Sequence, residues 1–267
     1  MFWVISVYFN TRNTPPKFCP FLLGHPVYLD DCVIFTSTAE EHVRRLEHVL
    51  QRFNKANLQL HPGKCVIAQP KLKYLGFELS DKGVSVTADR VETIKGYPKP
   101  ENAIEFRAFI GLASFYRRLV PNFAETAKPL TALTRNNQFT WGPSQQEAFD
   151  QLKLKLSTTP VLAFPDFSLP FILTTDASKV AVAAVLSQVQ NAVERPIAFA
   201  SRQKSKAEQS YTASESEMLA LVWATKFFRS YLYGRKFLAR TDHSALTYLR
   251  NFSDQNQTHE VEYEIVS

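Results

Sequence analysis

Cysteine is scarce in this 267-residue sequence, which has only Cys19, Cys32 and Cys65. An odd number, widely spaced, provides neither a paired disulfide framework nor a Cys-x-x-Cys zinc pattern, and a reducing, intracellular setting is the simpler expectation. Long apolar runs are missing too. No stretch approaches the roughly 20 residues a membrane-spanning helix needs. The apolar opening, residues 1–8, is short and has no basic residue before it. It runs into Asn10, Thr11, Arg12, Pro15 and Pro16 without a clear cleavage site, so it reads as neither signal nor anchor, and no membrane partner is expected. Internal repeats and low-complexity tracts are absent. Acidic residues are absent from the first 29 positions, Asp30 being the first.

What is present is ordinary globular chemistry: 45% apolar and 21% charged residues, which excludes disorder as the default. With 31 basic against 25 acidic side chains the net charge is +6. That excess favours a polyanionic partner through counterion release without establishing one.

Residues 1–26 are broken by Pro15, Pro16, Pro20 and Pro26 and read as irregular. Residues 27–35 are apolar except for Asp30 and Asp31, which predicts a hairpin with the acidic pair exposed at its turn. Ser37 and Thr38, three residues before Glu40 and Glu41, form overlapping capping boxes. The spacing of Val43, Leu46, Val49, Leu50 and Phe53 then predicts a helix over about 39–55. Strand-like runs follow at 65–67 and 74–79, the second closed by a turn at Asp81, Lys82 and Gly83. Asn102 with Glu105, and Ser144 with Glu147, predict two further capped helices. The proline-containing stretch 160–170 is the strongest candidate for a domain boundary, because strands are predicted beyond it at 171–175, 180–189, 196–200 and 237–241. Between the last two, Thr212 and Glu215 open a long helix that Gly234 ends. The fold class is α+β.

Three carboxylates in the second half stand beside strongly apolar neighbours: Asp176 at the end of a strand, Glu217 on the long helix and Asp242 at the end of another strand. Burying charge costs free energy unless it is compensated, and divalent cations compensate carboxylates. Two such cations could activate water and stabilise the leaving oxygen at a phosphodiester. Taken singly, each carboxylate also suits a local role: a turn residue, a solvated helix charge, a helix N-cap.

The residue context decides between these readings. Thr175-Asp176-Ala177-Ser178, Ala184-Val185-Leu186-Ser187-Gln188, Arg195-Pro196-Ile197-Ala198-Phe199, Ser201-Arg202, Glu217-Met218-Leu219-Ala220-Leu221 and Thr241-Asp242-His243-Ser244-Ala245-Leu246 closely resemble the ribonuclease H domain of gypsy-type long-terminal-repeat retrotransposon Pol polyproteins. In the first half, Tyr28-Leu29-Asp30-Asp31 resembles the acidic hairpin of reverse transcriptases. Gly63-Lys64-Cys65 and Tyr74-Leu75-Gly76-Phe77 resemble the blocks that follow it, the second being the primer-gripping hairpin. Residues 104–129, with Tyr116-Arg117-Arg118, resemble the thumb, and 141–149 the connection.

The resemblance implies a partial palm over 27–97, thumb and connection over 98–159, and a mixed-sheet ribonuclease-H-like domain over 160–267 lacking its last helix, the chain being truncated at both ends. It implies Asp176, Glu217 and Asp242 as nuclease metal ligands, and Asp30 and Asp31 as their polymerase counterparts. The expected ion is Mg²⁺, with Mn²⁺ as an alternative, since the ligands are carboxylates without a His/Cys cluster. Tyr28, Lys64, Tyr74, Gly76, Arg117, Arg118, Ser178, Gln188 and Arg202 are the implied contacts to an RNA–DNA hybrid or primer–template duplex. For Ser178, as for His243, structural hydrogen bonding is the competing role. Choosing RNA in a hybrid requires sensing A-form shape and the 2′-hydroxyl. Other Pol-derived chains are further expected partners, and a cytoplasmic particle or the nucleus is the expected location. Two departures bear on activity. The upstream Asp of the polymerase is missing, so this chain alone is expected not to polymerise DNA. The fourth nuclease carboxylate is missing as well, so cleavage is expected to be weakened. Residues 261–266 alternate like the family's fifth strand.

Overall fold

A computed structural model describes residues 3–8, 27–28, 31–36, 38–134, 139–241 and 263–266, with backbone only at 3–8, 27–28, 31–32, 35, 68, 134 and 263–266. The chain divides into two compact units, Met1–Thr87 and Ala88–Ser267. The proline-containing stretch 160–170 therefore marks a change of element type within the second unit rather than a gap in packing. Among the described residues no helix is long and apolar enough to cross a membrane.

In the first unit, β1 (Trp3–Tyr8), β2 (Val27–Tyr28), β3 (Asp31–Thr36) and β4 (Val66–Gln69) form a sheet in the order β2-β3-β1-β4. The sequence reading of 1–26 as irregular is corrected here. Residues 3–8 are β-branched and aromatic enough for a strand, but their antiparallel partners, β3 and β4, lie far along the chain. Tyr28 pairs with Asp31. The hairpin is thus present, but Asp31 belongs to its second strand rather than to the turn. Asp30 lies outside the described residues.

Helix α1 (Ala39–Lys55) starts as expected, Thr38 Oγ1 accepting the Glu41 N–H at 3.2 Å. Its Val49 and Phe53 pack with Ile34 of β3. The run read as one strand over 74–79 is two strands. β5 (Lys71–Tyr74) and β6 (Phe77–Ser80) turn at Leu75 (φ 49°) and Gly76 (φ 83°), and β7 (Gly83–Val86) completes a second sheet. Positive φ at both central residues is the tight hairpin geometry that suits Asn and Gly.

The second unit begins with α2 (Ala88–Lys95), α3 (Ala103–Phe115), α4 (Phe123–Thr126), α5 (Lys128–Thr131) and α6 (Pro143–Ser157). Asn102 Oδ1 accepts the N–H groups of Ile104 and Glu105 at 3.0 Å each, the expected cap of α3. Helix α6 differs from expectation. It starts at Pro143 with Gly142 as its N-cap, and Gln145 Oε1 accepts the Gly142 N–H at 3.1 Å. Pro at the first helical position fixes φ and lacks only an N–H that would have no helical partner, so the helix begins ahead of Ser144. Phe109 meets Phe149 at 4.5 Å between ring centroids and Tyr97 at 5.2 Å, closing an aromatic core among α3, α6 and the segment after α2.

A five-stranded mixed sheet follows, in the order β10-β9-β8-β11-β12. Its strands are β8 (Phe171–Ala177), β9 (Ala181–Gln190), β10 (Val193–Gln203), β11 (Phe237–Arg240) and β12 (Tyr263–Val266). The first three are antiparallel neighbours, whereas β11 runs parallel to both β8 and β12. β12 falls within the predicted 261–266. Helices α7 (Ala213–Phe227) and α8 (Arg229–Leu232) supply Ala224, Phe228 and Leu232 to a core with Phe171, Leu173, Ala184, Leu186 and Ala200. Thr212 and Glu215 cap α7 reciprocally.

The β5–β6 turn yields opposite expectations at adjacent positions. Leu75→Asn should raise stability, and Gly76→Val should lower it, each by roughly 1 kcal/mol, because a non-Gly side chain pays about that much at positive φ and Asn tolerates it best. Denaturant unfolding of the chain checks both signs.

Candidate active site

Strand β8 carries no charge until it reaches Asp176, whose side chain is exposed. The alternation that buries Leu173 and Thr175 turns Asp176 to the opposite face, beside Ala183 on β9. Glu217 is 7% exposed on α7. Its Oε1 accepts the Ala177 N–H at 3.1 Å. A carboxylate held this way is partly compensated for its burial, and the bond places Glu217 against the residue that follows Asp176. Parallel β11 leads to the same end of the sheet, with Arg240 opposite Thr174 and then a buried Thr241. Asp242 and His243 lie outside the described residues.

Asp176 shares a shallow cleft with Ser178, Ala181, Ala183 and Ser201 from the sheet and with Asn122 and Glu125 from the α4 segment. The wall formed by α4 and α5 is fastened to β10, Ser201 Oγ accepting the Ala124 N–H at 2.9 Å and Gln203 Nε2 donating to Thr131 Oγ1 at 2.7 Å. No local pattern in residues 117–131 signals this approach, since the partners are more than 70 positions away.

The expected ligand contacts separate into two groups. Ser178 makes a local turn, its Oγ accepting the N–H groups of Val180 and Ala181 at 3.3 and 3.1 Å. Gln188 is fully buried. Its Nε2 donates to the carbonyls of Asp166 and Leu169 at 2.7 and 3.1 Å, and its Oε1 accepts the Asp166 N–H at 2.9 Å. It is therefore a clamp on the loop before β8 and not a duplex contact.

Arg202 is also committed. Both of its terminal nitrogens reach Glu208, at 2.7 and 2.8 Å. These bonds, with the Ser205 N–H, hold the Glu208 carboxyl down to about 2. Arg117 donates to the Ser201 carbonyl and lies over the Phe123 ring. Arg118 and Lys64 are exposed, Tyr74 is half-buried against Val33 and Leu72, and Gly76 forms the β5–β6 turn. Tyr28 and Asp31 are described only as backbone, paired with each other.

Hard divalent cations take oxygen ligands. Asp176 and Glu217 provide such donors, Glu217 being bonded to the residue that follows Asp176, so the donor chemistry of the residues present fits Mg²⁺ or Mn²⁺. Among the described residues no three Asp, Glu, His or Cys side chains enclose a common point.

Known proteins give this arrangement a lineage. A family model for an "RNase H-like domain found in reverse transcriptase" matches residues 141–239, which include Asp176 and Glu217. One for "Reverse transcriptase (RNA-dependent DNA polymerase)" matches 10–79. The Retrovirus-related Pol polyprotein from transposon 297 of Drosophila melanogaster is 40% identical over 257 residues, covering 92% of this chain and 24% of the polyprotein. That from transposon gypsy of the same organism is 36% identical over 236 residues, 83% of this chain and 22% of the polyprotein. The chain belongs to the retrotransposon Pol family.

Within that family its two matched regions are of the reverse transcriptase and ribonuclease H types, and it spans about a quarter of these relatives' length. The fold is shared with the foamy viral protease-reverse transcriptase. The structure of that protein in complex with dsDNA aligns with a TM-score of 0.81 at 18% identity, over 99% of this chain and 67% of that one. Its complex with RNA/DNA hybrid gives 0.80 at 17% identity, over 99% and 44%.

The Gln188 clamp separates a structural from a binding role. Gln188→Ala should destabilise the second unit by roughly 2 kcal/mol, because the part-buried N–H and carbonyl of Asp166 and carbonyl of Leu169 lose their partner. Affinity for an RNA–DNA hybrid, measured by fluorescence anisotropy below the melting transition, should stay at the wild-type value.

Proposed function

We propose that the second unit cleaves the RNA strand of RNA–DNA hybrids in a divalent-metal-dependent reaction, with Asp176, Glu217 and Asp242 as the metal-holding carboxylates. The observation that carries this reading is the Ala177 N–H to Glu217 Oε1 bond, which holds Glu217 at the residue that follows Asp176. Bound Mg²⁺ would activate the attacking water and stabilise the leaving oxygen. The chain's own part is to hold exposed Asp176 at a rigid strand end and to keep Glu217 in one orientation. The open cleft gives a phosphodiester access to Asp176. Cleavage is expected to be slow if no further carboxylate completes the coordination. The substrate sets the proposed location, a cytoplasmic particle or the nucleus, and other Pol-derived chains are the proposed partners.

The polymerase side is different. Asp30 and Asp31 are adjacent in the sequence, and no acidic residue precedes Asp30 in these 267 residues to supply a further ligand. We infer that these residues by themselves do not extend a primer. A second reading, duplex binding without chemistry, is favoured by Arg107 and Arg118. The side chains of both are exposed and make no hydrogen bond or ion pair among the described residues, so they are free to meet phosphates.

The purified chain, incubated with labelled RNA–DNA hybrid and Mg²⁺ or Mn²⁺, should cut the RNA strand and leave duplex DNA intact. Asp176→Asn should reduce the rate by at least about a hundredfold, as loss of a metal-holding carboxylate does when coordination is essential. A folded chain that binds the hybrid but leaves it uncut would favour the second reading.

A further inference from the structure

We propose that Arg202 and Glu208 are positioning residues for the carboxylate site, holding α7 in register with β8 so that Glu217 keeps its bond to Ala177, the residue after Asp176. The inference rests on the reading of Asp176 and Glu217 as metal ligands. Arg202 stands in one row across the sheet, paired with Val182, which is paired with Ala177, whose N–H holds Glu217. From that row its guanidinium reaches two further places. It lies 5.8 Å from the Trp223 ring centroid on α7, the helix bearing Glu217. It also holds Glu208 bidentately, while Glu208 Oε2 accepts the Ser205 N–H at 2.7 Å.

Glu208 therefore fixes the connection between β10 and α7. The Lys204 N–H adds a bond to the Val180 carbonyl at 2.8 Å, tying the same connection to the turn after Asp176. A planar guanidinium bound by both nitrogens has one orientation, which is the property a positioning group needs. Partners that orient metal-holding groups commonly change metal affinity when removed, without touching the metal.

The test uses the full chain with Arg202→Met, which keeps an apolar stem near Trp223, Glu208→Gln, and the exchanged pair Arg202→Glu with Glu208→Arg. Mn²⁺ affinity is read from the spin-resonance signal of free Mn²⁺, with melting temperature and amide hydrogen exchange over 204–220 alongside. Each single variant should bind Mn²⁺ about tenfold more weakly and exchange faster over 204–220. The exchanged pair should recover part of the affinity. Unchanged affinity despite faster exchange would overturn the proposal, as would unchanged exchange. So would a loss of affinity that only follows the melting temperature and is not recovered by the exchanged pair. If the wild-type chain binds no Mn²⁺, and Asp176→Asn makes no difference, the carboxylate reading itself fails and the positioning role fails with it.

Discussion

The hydrogen bond from the Ala177 N–H to Glu217 Oε1 joins the strand that carries Asp176 to the helix packed across it. A buried carboxylate on a helix facing a sheet would ordinarily be a liability, since desolvation disfavours its charged form. Here the backbone of β8 offsets part of that cost at the residue that follows Asp176. The packing of Ala224 and Phe228 against Leu173 and Leu186 brings helix and sheet together. The hydrogen bond then decides which turn of the helix meets the end of β8. The site is thus a consequence of register, and the residues that hold the register matter as much as those that would touch an ion.

Local chemistry was the legible part of the fold. Asn102 with Glu105 and Thr212 with Glu215 announced helix starts because a capping box is satisfied within four residues. Ser144 with Glu147 shows the limit: the same pattern was present, but Pro143 could begin the helix earlier and Gly142 took the cap. Strand β1 was missed for a different reason. Its residues suit a strand, but what makes it one is pairing with β3 and β4 across a proline-rich stretch, and nothing local encodes that.

The same distinction separates the site residues. Asp176 and Glu217 lie within ordered motifs, and the structure bonds Glu217 of α7 to the β8 residue that follows Asp176. Gln188 and Arg202 lie within equally distinct motifs, yet they turn inward, one to a loop and one to Glu208. A motif records that a side chain is needed, and a polar residue can be needed for packing as readily as for a ligand. The approach of Asn122 and Glu125 to Asp176 was illegible, because it depends on how α4 lies on β10.

The central claim is that Asp176 and Glu217 form a divalent-cation site. Crystals of the chain grown with Mn²⁺ and an RNA–DNA hybrid, measured for anomalous scattering, test it most directly. The account predicts a manganese peak within coordination distance, about 2.0–2.6 Å, of oxygens from both carboxylates. Manganese bound elsewhere on an ordered chain, with the Asp176–Glu217 site ordered and holding none, would contradict it.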